Sequence, residues 1–210
     1  MNKCSHRLSW CRWGVVGLYL LLCVLYFSPI AAPYKLTYPL SLLTLASLLG
    51  GKSPLLTAAL AFSAVGDFCG ALGYLLLQIA TFGVAQICYL ILIWNQIQKP
   101  SPKRAILAAI VPVTLCVVTF VGIVPAVEGA VVKVGVVVYA LLIGLMTTLA
   151  FASKSWTVGL GALLFMLSDF ILAILIFLTP VPYLSLVSLA LYFAGQILLW
   201  LGLQRVPMDD

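Results

Sequence analysis

The sequence predicts an all-α, polytopic membrane protein. It reads as one domain over 1–210, a bundle of eight transmembrane helices with both termini in the cytoplasm. Three observations predict this. Of the 210 residues, 64% are hydrophobic and only 8% charged, against about 25% charged in a soluble chain. The apolar residues fall in runs near the roughly 20 residues that a spanning helix needs. Lysine and arginine sit mostly in alternate connections between those runs.

Sixteen charges, eleven basic and five acidic, cannot coat a surface of this size with groups that water accepts. The excess apolar surface therefore faces lipid. Eight spans with short connections use the whole length and leave no room for a soluble domain. The net charge of +6 is scattered over loops and forms no basic face, which excludes nucleic-acid binding as a main role.

The segments are 13–30, 36–49, 54–72, 75–94, 105–122, 131–151, 156–178 and 183–203. The first follows a basic start, a pattern shared with signal peptides. Ile30, however, stands where cleavage wants a small residue, and Pro33 follows, so it reads as a retained span. Ser28-Pro29 closes it, and Gly50-Gly51-Lys52-Ser53-Pro54 separates the second from the third. Gly73-Tyr74 is the weakest break and demands a very tight hairpin between the third and fourth. Lys99-Pro100-Ser101-Pro102-Lys103-Arg104, Ser153-Lys154-Ser155 and Thr179-Pro180-Val181-Pro182 supply later breaks. The six cysteines, Cys4, Cys11, Cys23, Cys69, Cys88 and Cys116, contain no CxxC pair and read as small apolar residues in helices.

With the N-terminus in the cytoplasm, that side collects Lys3, Arg7, Arg12, Lys52, Lys99, Lys103, Arg104, Lys154 and Arg205. Only Lys35 and Lys133 lie opposite, a clear positive-inside bias. Met208-Asp209-Asp210 returns to the cytoplasm. The chain is thus a multi-pass protein, of the inner (plasma) membrane if it is bacterial.

Two acidic residues lie in the wrong solvent. Asp67 follows Phe62-Ser63-Ala64-Val65-Gly66, and Asp169 follows Phe165-Met166-Leu167-Ser168. A carboxylate inside a membrane helix costs at least about 2.5 kcal/mol on insertion scales, so both are expected to face the bundle interior or a wet cavity. Each lies thirteen residues after the expected start of its span, at Pro54 and Trp156. That is roughly 20 Å into a layer of about 30 Å, which puts the two carboxyls on one level. If the two helices are neighbours, their side chains meet across one pocket.

The following helices are also alike, with Phe82-Gly83-Val84-Ala85-Gln86 in the fourth and Tyr192-Phe193-Ala194-Gly195-Gln196 in the eighth. This pattern suggests two parallel four-helix repeats, 13–94 and 105–203. The competing explanation is that glutamine and small residues recur because they pack membrane helices together.

Three roles for the aspartates follow: acid–base catalysis, proton or ion transport, and a structural bond between helices. His6, the one histidine, precedes the first span, so no Ser-His-Asp or Cys-His arrangement has a base. No metal-ligand set and no phosphate-cradling loop occurs, and no cofactor is expected. Burial disfavours the charged form, so one carboxyl is expected to keep its proton beside an ionised partner. Such a pair suits a substrate whose protonation gives an oxocarbenium-like cation.

The segment Gly161-Ala162-Leu163-Leu164-Phe165-Met166-Leu167-Ser168-Asp169 resembles the G-A-x-x-F-x-x-S-D signature of the YhhN-like lysoplasmalogenase family of integral membrane proteins. Gly66-Asp67, Phe82-Gly83, Tyr89, Tyr139, Met146 and Tyr192 with Gln196 follow the family order, from about Pro39 onward. The resemblance implies hydrolysis of the vinyl ether bond of lysoplasmalogens, to a fatty aldehyde and a glycerophospho-headgroup. It implies a lysophospholipid as substrate; the working mechanism makes Asp67 and Asp169 a general acid and a general base, without assigning which is which. Gln86, Tyr89, Tyr139, Tyr192 and Gln196 would orient the pair or a water, each with an interhelical hydrogen bond as the plainer role. Phe68, Phe165 and Phe170 read as packing. Two positions depart from the family: Gln86 stands where it commonly has histidine, and Tyr38-Pro39 where it has Lys-Pro. Lys35 could supply the missing positive charge for a phosphate, or be an ordinary interfacial lysine. A small proton-coupled transporter or lipid-binding membrane protein using the same aspartates is the alternative function.

Overall fold

The computed structural model describes residues 2–27, 33–50, 53–96, 102–153 and 155–204. Eight α-helices account for almost all of them: α1 (Asn2–Tyr26), α2 (Tyr38–Leu49), α3 (Pro54–Ala71), α4 (Leu75–Gln96), α5 (Pro102–Val118), α6 (Ala130–Ala152), α7 (Trp156–Phe177) and α8 (Pro182–Leu203). Among the described residues, α3 to α8 supply six spans long and apolar enough to cross a membrane. The apolar stretches Arg12–Tyr26 and Lys35–Leu49 are shorter. The chain is therefore a polytopic helical membrane protein, with six long apolar helices among the described residues.

The orientation argument leans on Lys52, Lys99, Lys154 and Arg205. These lie outside the described residues, as do residues 28–30 at the end of the first segment and the acidic tail.

Local chemistry explains the boundaries. Proline opens α3 and α8 and stands in the first turn of α2, where its missing N–H has no helical partner to lose. Ser155 caps α7 by accepting a hydrogen bond from the Val158 N–H at 3.4 Å. The tight hairpin expected at Gly73-Tyr74 is present. Gly73 takes a φ of +79°, which glycine adopts without steric penalty, and the Tyr74 N–H closes the turn on the Cys69 carbonyl at 2.9 Å.

One span departs from expectation. The segment read as 105–122 starts at Pro102, carries Pro112 inside it, and ends at Val118 in a π-helical turn, Thr119–Ile123. Pro112 removes an N–H from the helical ladder and the π turn shifts the remaining bonds by one residue.

α3 packs along α4, and α7 along α8. α2 lies on α3, α6 lies on α7, and α4 meets α6 across the middle. In lipid, helices gain little from hiding apolar surface from one another, so small residues and polar bonds hold them together. A Cβ on Gly161 would come within 2.9 Å of the Leu199 amide nitrogen. One on Gly195 would come within 2.8 Å of that of Phe165, so α7 and α8 touch backbone to backbone. Tyr19 ties α1 to α8 through a 2.8 Å bond to the Phe193 carbonyl, and Trp200 ties α8 to α2 through the Ser47 hydroxyl at 3.1 Å. Leu21, Val24, Leu107, Val121 and Leu186 are among the apolar side chains left facing outward, as a surface against lipid requires. Cys23, Cys69, Cys88 and Cys116 are free thiols in these helices.

Candidate active site

The polar side chains of the spans converge inward. Ser47, Ser63, Asp67, Gln86, Thr119, Thr147, Ser168, Ser188 and Gln196 are all buried. With no water in a hydrocarbon core, each must find its partner within the protein, and the partners on neighbouring helices give the site its geometry.

Asp67, on α3, is 3% exposed. The Tyr192 hydroxyl on α8 donates to its carboxylate at 2.9 Å. The Tyr192 ring is held in turn, its centroid 5.5 Å from that of Phe165 on α7 and 6.0 Å from that of Phe82 on α4, both edge-on. Phe82 also fills the space over Gly66, where a Cβ would come within 2.8 Å of its ring. The Gly66-Asp67 pair is thus one unit: the glycine admits the aromatic wall beside which the carboxyl sits.

Asp169, on α7, is half-buried. The Tyr139 hydroxyl on α6 donates to its carboxylate, and the Tyr139 oxygen accepts from the Gln86 side-chain N–H on α4 at 3.3 Å. A third chain runs deeper. The Tyr89 hydroxyl donates to Gln196 Oε1 at 2.7 Å, and Gln196 Nε2 to the Ser63 hydroxyl at 3.4 Å. Ser63 stands one turn before Asp67 on α3, so this chain braces the Asp67 helix against α4 and α8.

The two carboxyls are held by different tyrosines, Asp67 by Tyr192 and Asp169 by Tyr139, and their helices pack against different neighbours. Their surroundings differ. Asp169 borders a recess of about 50 Å³, together with Tyr139, Cys116, Thr119, Met166 and Phe170; Asp67 is not among its lining residues. That volume admits a few waters and no lipid chain. Phe170 belongs to the site's wall, whereas Phe68 points outward. Lys35 is buried in the 3-10 turn Pro33–Thr37 ahead of α2, which packs on α3.

Sequence reasoning missed Ser63, Cys116 and Thr119. Ser63 was detectable, because a serine four residues before a buried aspartate shares its helix face. Cys116 and Thr119 carried no such signal, since they line the recess only through the packing of α5 and the π turn against α6 and α7. No group of three or more candidate metal ligands occurs among the described residues. The arrangement can hold a proton on one carboxyl, a charge on the other, and water beside Asp169.

The chain is 30% identical to the human protein named lysoplasmalogenase TMEM86B over 223 aligned positions, covering 99% of this chain and 93% of that one. It is 31% identical to the pig protein of the same name over 159 positions, 75% of this chain and 67% of the relative. No solved structure matches it. The model of the YhhN family matches residues 26–203, from the last turn of α1 to the end of α8 and through every residue of the site above, and the chain belongs to that family.

Proposed function

We propose that this protein is a membrane-embedded hydrolase that cleaves the vinyl ether bond of lysoplasmalogen-type lysophospholipids, with Asp67 and Asp169 as its acid–base pair. Family membership and the lysoplasmalogenase relatives support the reaction class. The observation that carries the residue assignment is the pair of intramembrane carboxylates, each accepting a tyrosine hydroxyl from another helix, one dry and one beside a recess.

The chemistry needs an acid and a base and no cofactor. The carboxyl that holds a proton delivers it to the β-carbon of the vinyl ether, and the α-carbon becomes an oxocarbenium ion. The ionised partner stabilises that cation and takes a proton from the water that adds to it. The hemiacetal then collapses to a fatty aldehyde and the glycerol hydroxyl, so one water is consumed per bond broken. Tyr139 and Tyr192 fix the two carboxyls in place; Gln86, Tyr89 and Gln196 fix the tyrosines and the helices behind them. Lys35, in the turn that packs on α3, supplies positive charge for the substrate phosphate. A bilayer site suits a one-chain amphiphile whose labile bond lies just under its headgroup.

The test is aldehyde release from a panel of lysolipids by purified protein in detergent, read by mass spectrometry. Aldehyde from the alkenyl lipids alone is expected. No aldehyde from any lipid, with pH-coupled flux into proteoliposomes instead, would replace this reading with transport.

A further inference from the structure

Gln86 has one end that the proposed chemistry leaves unused. Its side chain is fully buried on α4. The Tyr139 hydroxyl has a single proton, and that proton goes to Asp169. Toward Gln86 the tyrosine oxygen can then only accept, which turns the amide with its N–H to Tyr139. The other end, Oε1, is buried with no hydrogen-bond partner among the described residues.

A buried acceptor left in that state is costly, and native proteins keep few of them without a reason. The reason is local here. Tyr139, which Gln86 holds, lines the recess of Asp169, so the amide stands two hydrogen bonds from the carboxylate where the bond would break. A donor arriving with the substrate would satisfy it.

The substrate class contains such a donor. A lysolipid with an alkenyl chain on one glycerol carbon carries a free hydroxyl on the next. In the doubly substituted lipid that hydroxyl is an ester, which offers acceptors only. We propose that Gln86 Oε1 accepts a hydrogen bond from this free glycerol hydroxyl and thereby selects lysolipids over their acylated counterparts. The inference rests on the hydrolase reading above and adds its specificity determinant. An ester at this place would set acceptor against acceptor in a medium of low dielectric. Sites built to bond a substrate hydroxyl reject analogues that lack it far more strongly than apolar pockets reject extra bulk.

The experiment compares 1-alkenyl-glycerophosphocholine with its 2-O-methyl ether, which keeps the vinyl ether and removes only the donor. For the unaltered protein, kcat/KM on the methyl ether is expected to fall by about ten- to a hundredfold, the worth of one bond to a buried acceptor. In Gln86→Leu, and in the length-preserving Gln86→Met should leucine not fold, the two substrates are expected to agree within about threefold. Both variants also free Tyr139 and slow both substrates, so the ratio is the readout. Equal rates on both substrates with the unaltered protein would overturn the inference and mean that water alone satisfies Oε1. Discrimination that survives in Gln86→Met would also overturn it, by assigning the hydroxyl to another group. No aldehyde from either substrate would bring down the hydrolase reading, and this inference with it.

Discussion

The Tyr192 hydroxyl reaches across 125 residues of chain to donate a 2.9 Å hydrogen bond to the carboxylate of Asp67. This bond joins α8 to α3 inside an apolar bundle, and it sets the expectations for the site's first variants.

Asp67→Asn and Asp169→Asn are each expected to lower aldehyde release by at least about 10²-fold, the usual worth of a positioned acid or base. Asparagine still accepts from the tyrosine, so both variants should elute from a sizing column in detergent as the parent does. Substantial turnover in both would remove the acid–base pair. Asp67→Leu, by contrast, leaves the Tyr192 hydroxyl buried without an acceptor and should lower stability by about 1–3 kcal/mol.

The tyrosines are expected to differ. Tyr192→Phe strips a nearly fully buried carboxyl of its hydroxyl donor, and that carboxyl does not line the recess. Tyr139→Phe strips one that borders a recess able to hold water. Thermal unfolding in detergent should show the larger loss for Tyr192→Phe, while both reduce turnover. Equal melting losses would contradict the dry and wet assignment.

Gly161→Ala and Gly195→Ala push a methyl group into the backbone of the facing helix and should each cost about 1–3 kcal/mol. Gly17→Ala and Gly83→Ala meet nothing within 4 Å and should leave the melting temperature unchanged or slightly raised. The contrast is read in one series of melts; a flat series would deny the close α7–α8 contact.

In a chain whose only remaining cysteine is Cys116, a small methanethiosulfonate reagent should inhibit turnover, because that thiol lines the recess. Cys116→Ser should resist it. Labelling without inhibition would separate the recess from the reaction.

The sequence exposed what is energetically conspicuous. Asp67 and Asp169 stood out because a charge in an apolar run has few tolerable places, and Gly73 because a tight turn needs its backbone. The bonds between helices were not legible. Nothing near Asp169 in sequence announces Tyr139, since that bond depends on which helices become neighbours, and long-range packing decides that. Thr119 and Cys116 were missed for the same reason: they reach the recess only because α5 and the turn after it pack against α6 and α7.

The glycine contact between α7 and α8 has a consequence for how a lipid chain could get in. Two backbones wedged together at Gly161 and Gly195 cannot slide or part without losing that fit, so they behave as a single beam. Asp169 and Tyr192 ride on it at fixed separation, and Asp67 is leashed to it through Tyr192. What yields to admit a guest is therefore not this pair; on the recess wall beside it, α5 has lost regular bonding at Pro112 and again at the turn beginning with Thr119.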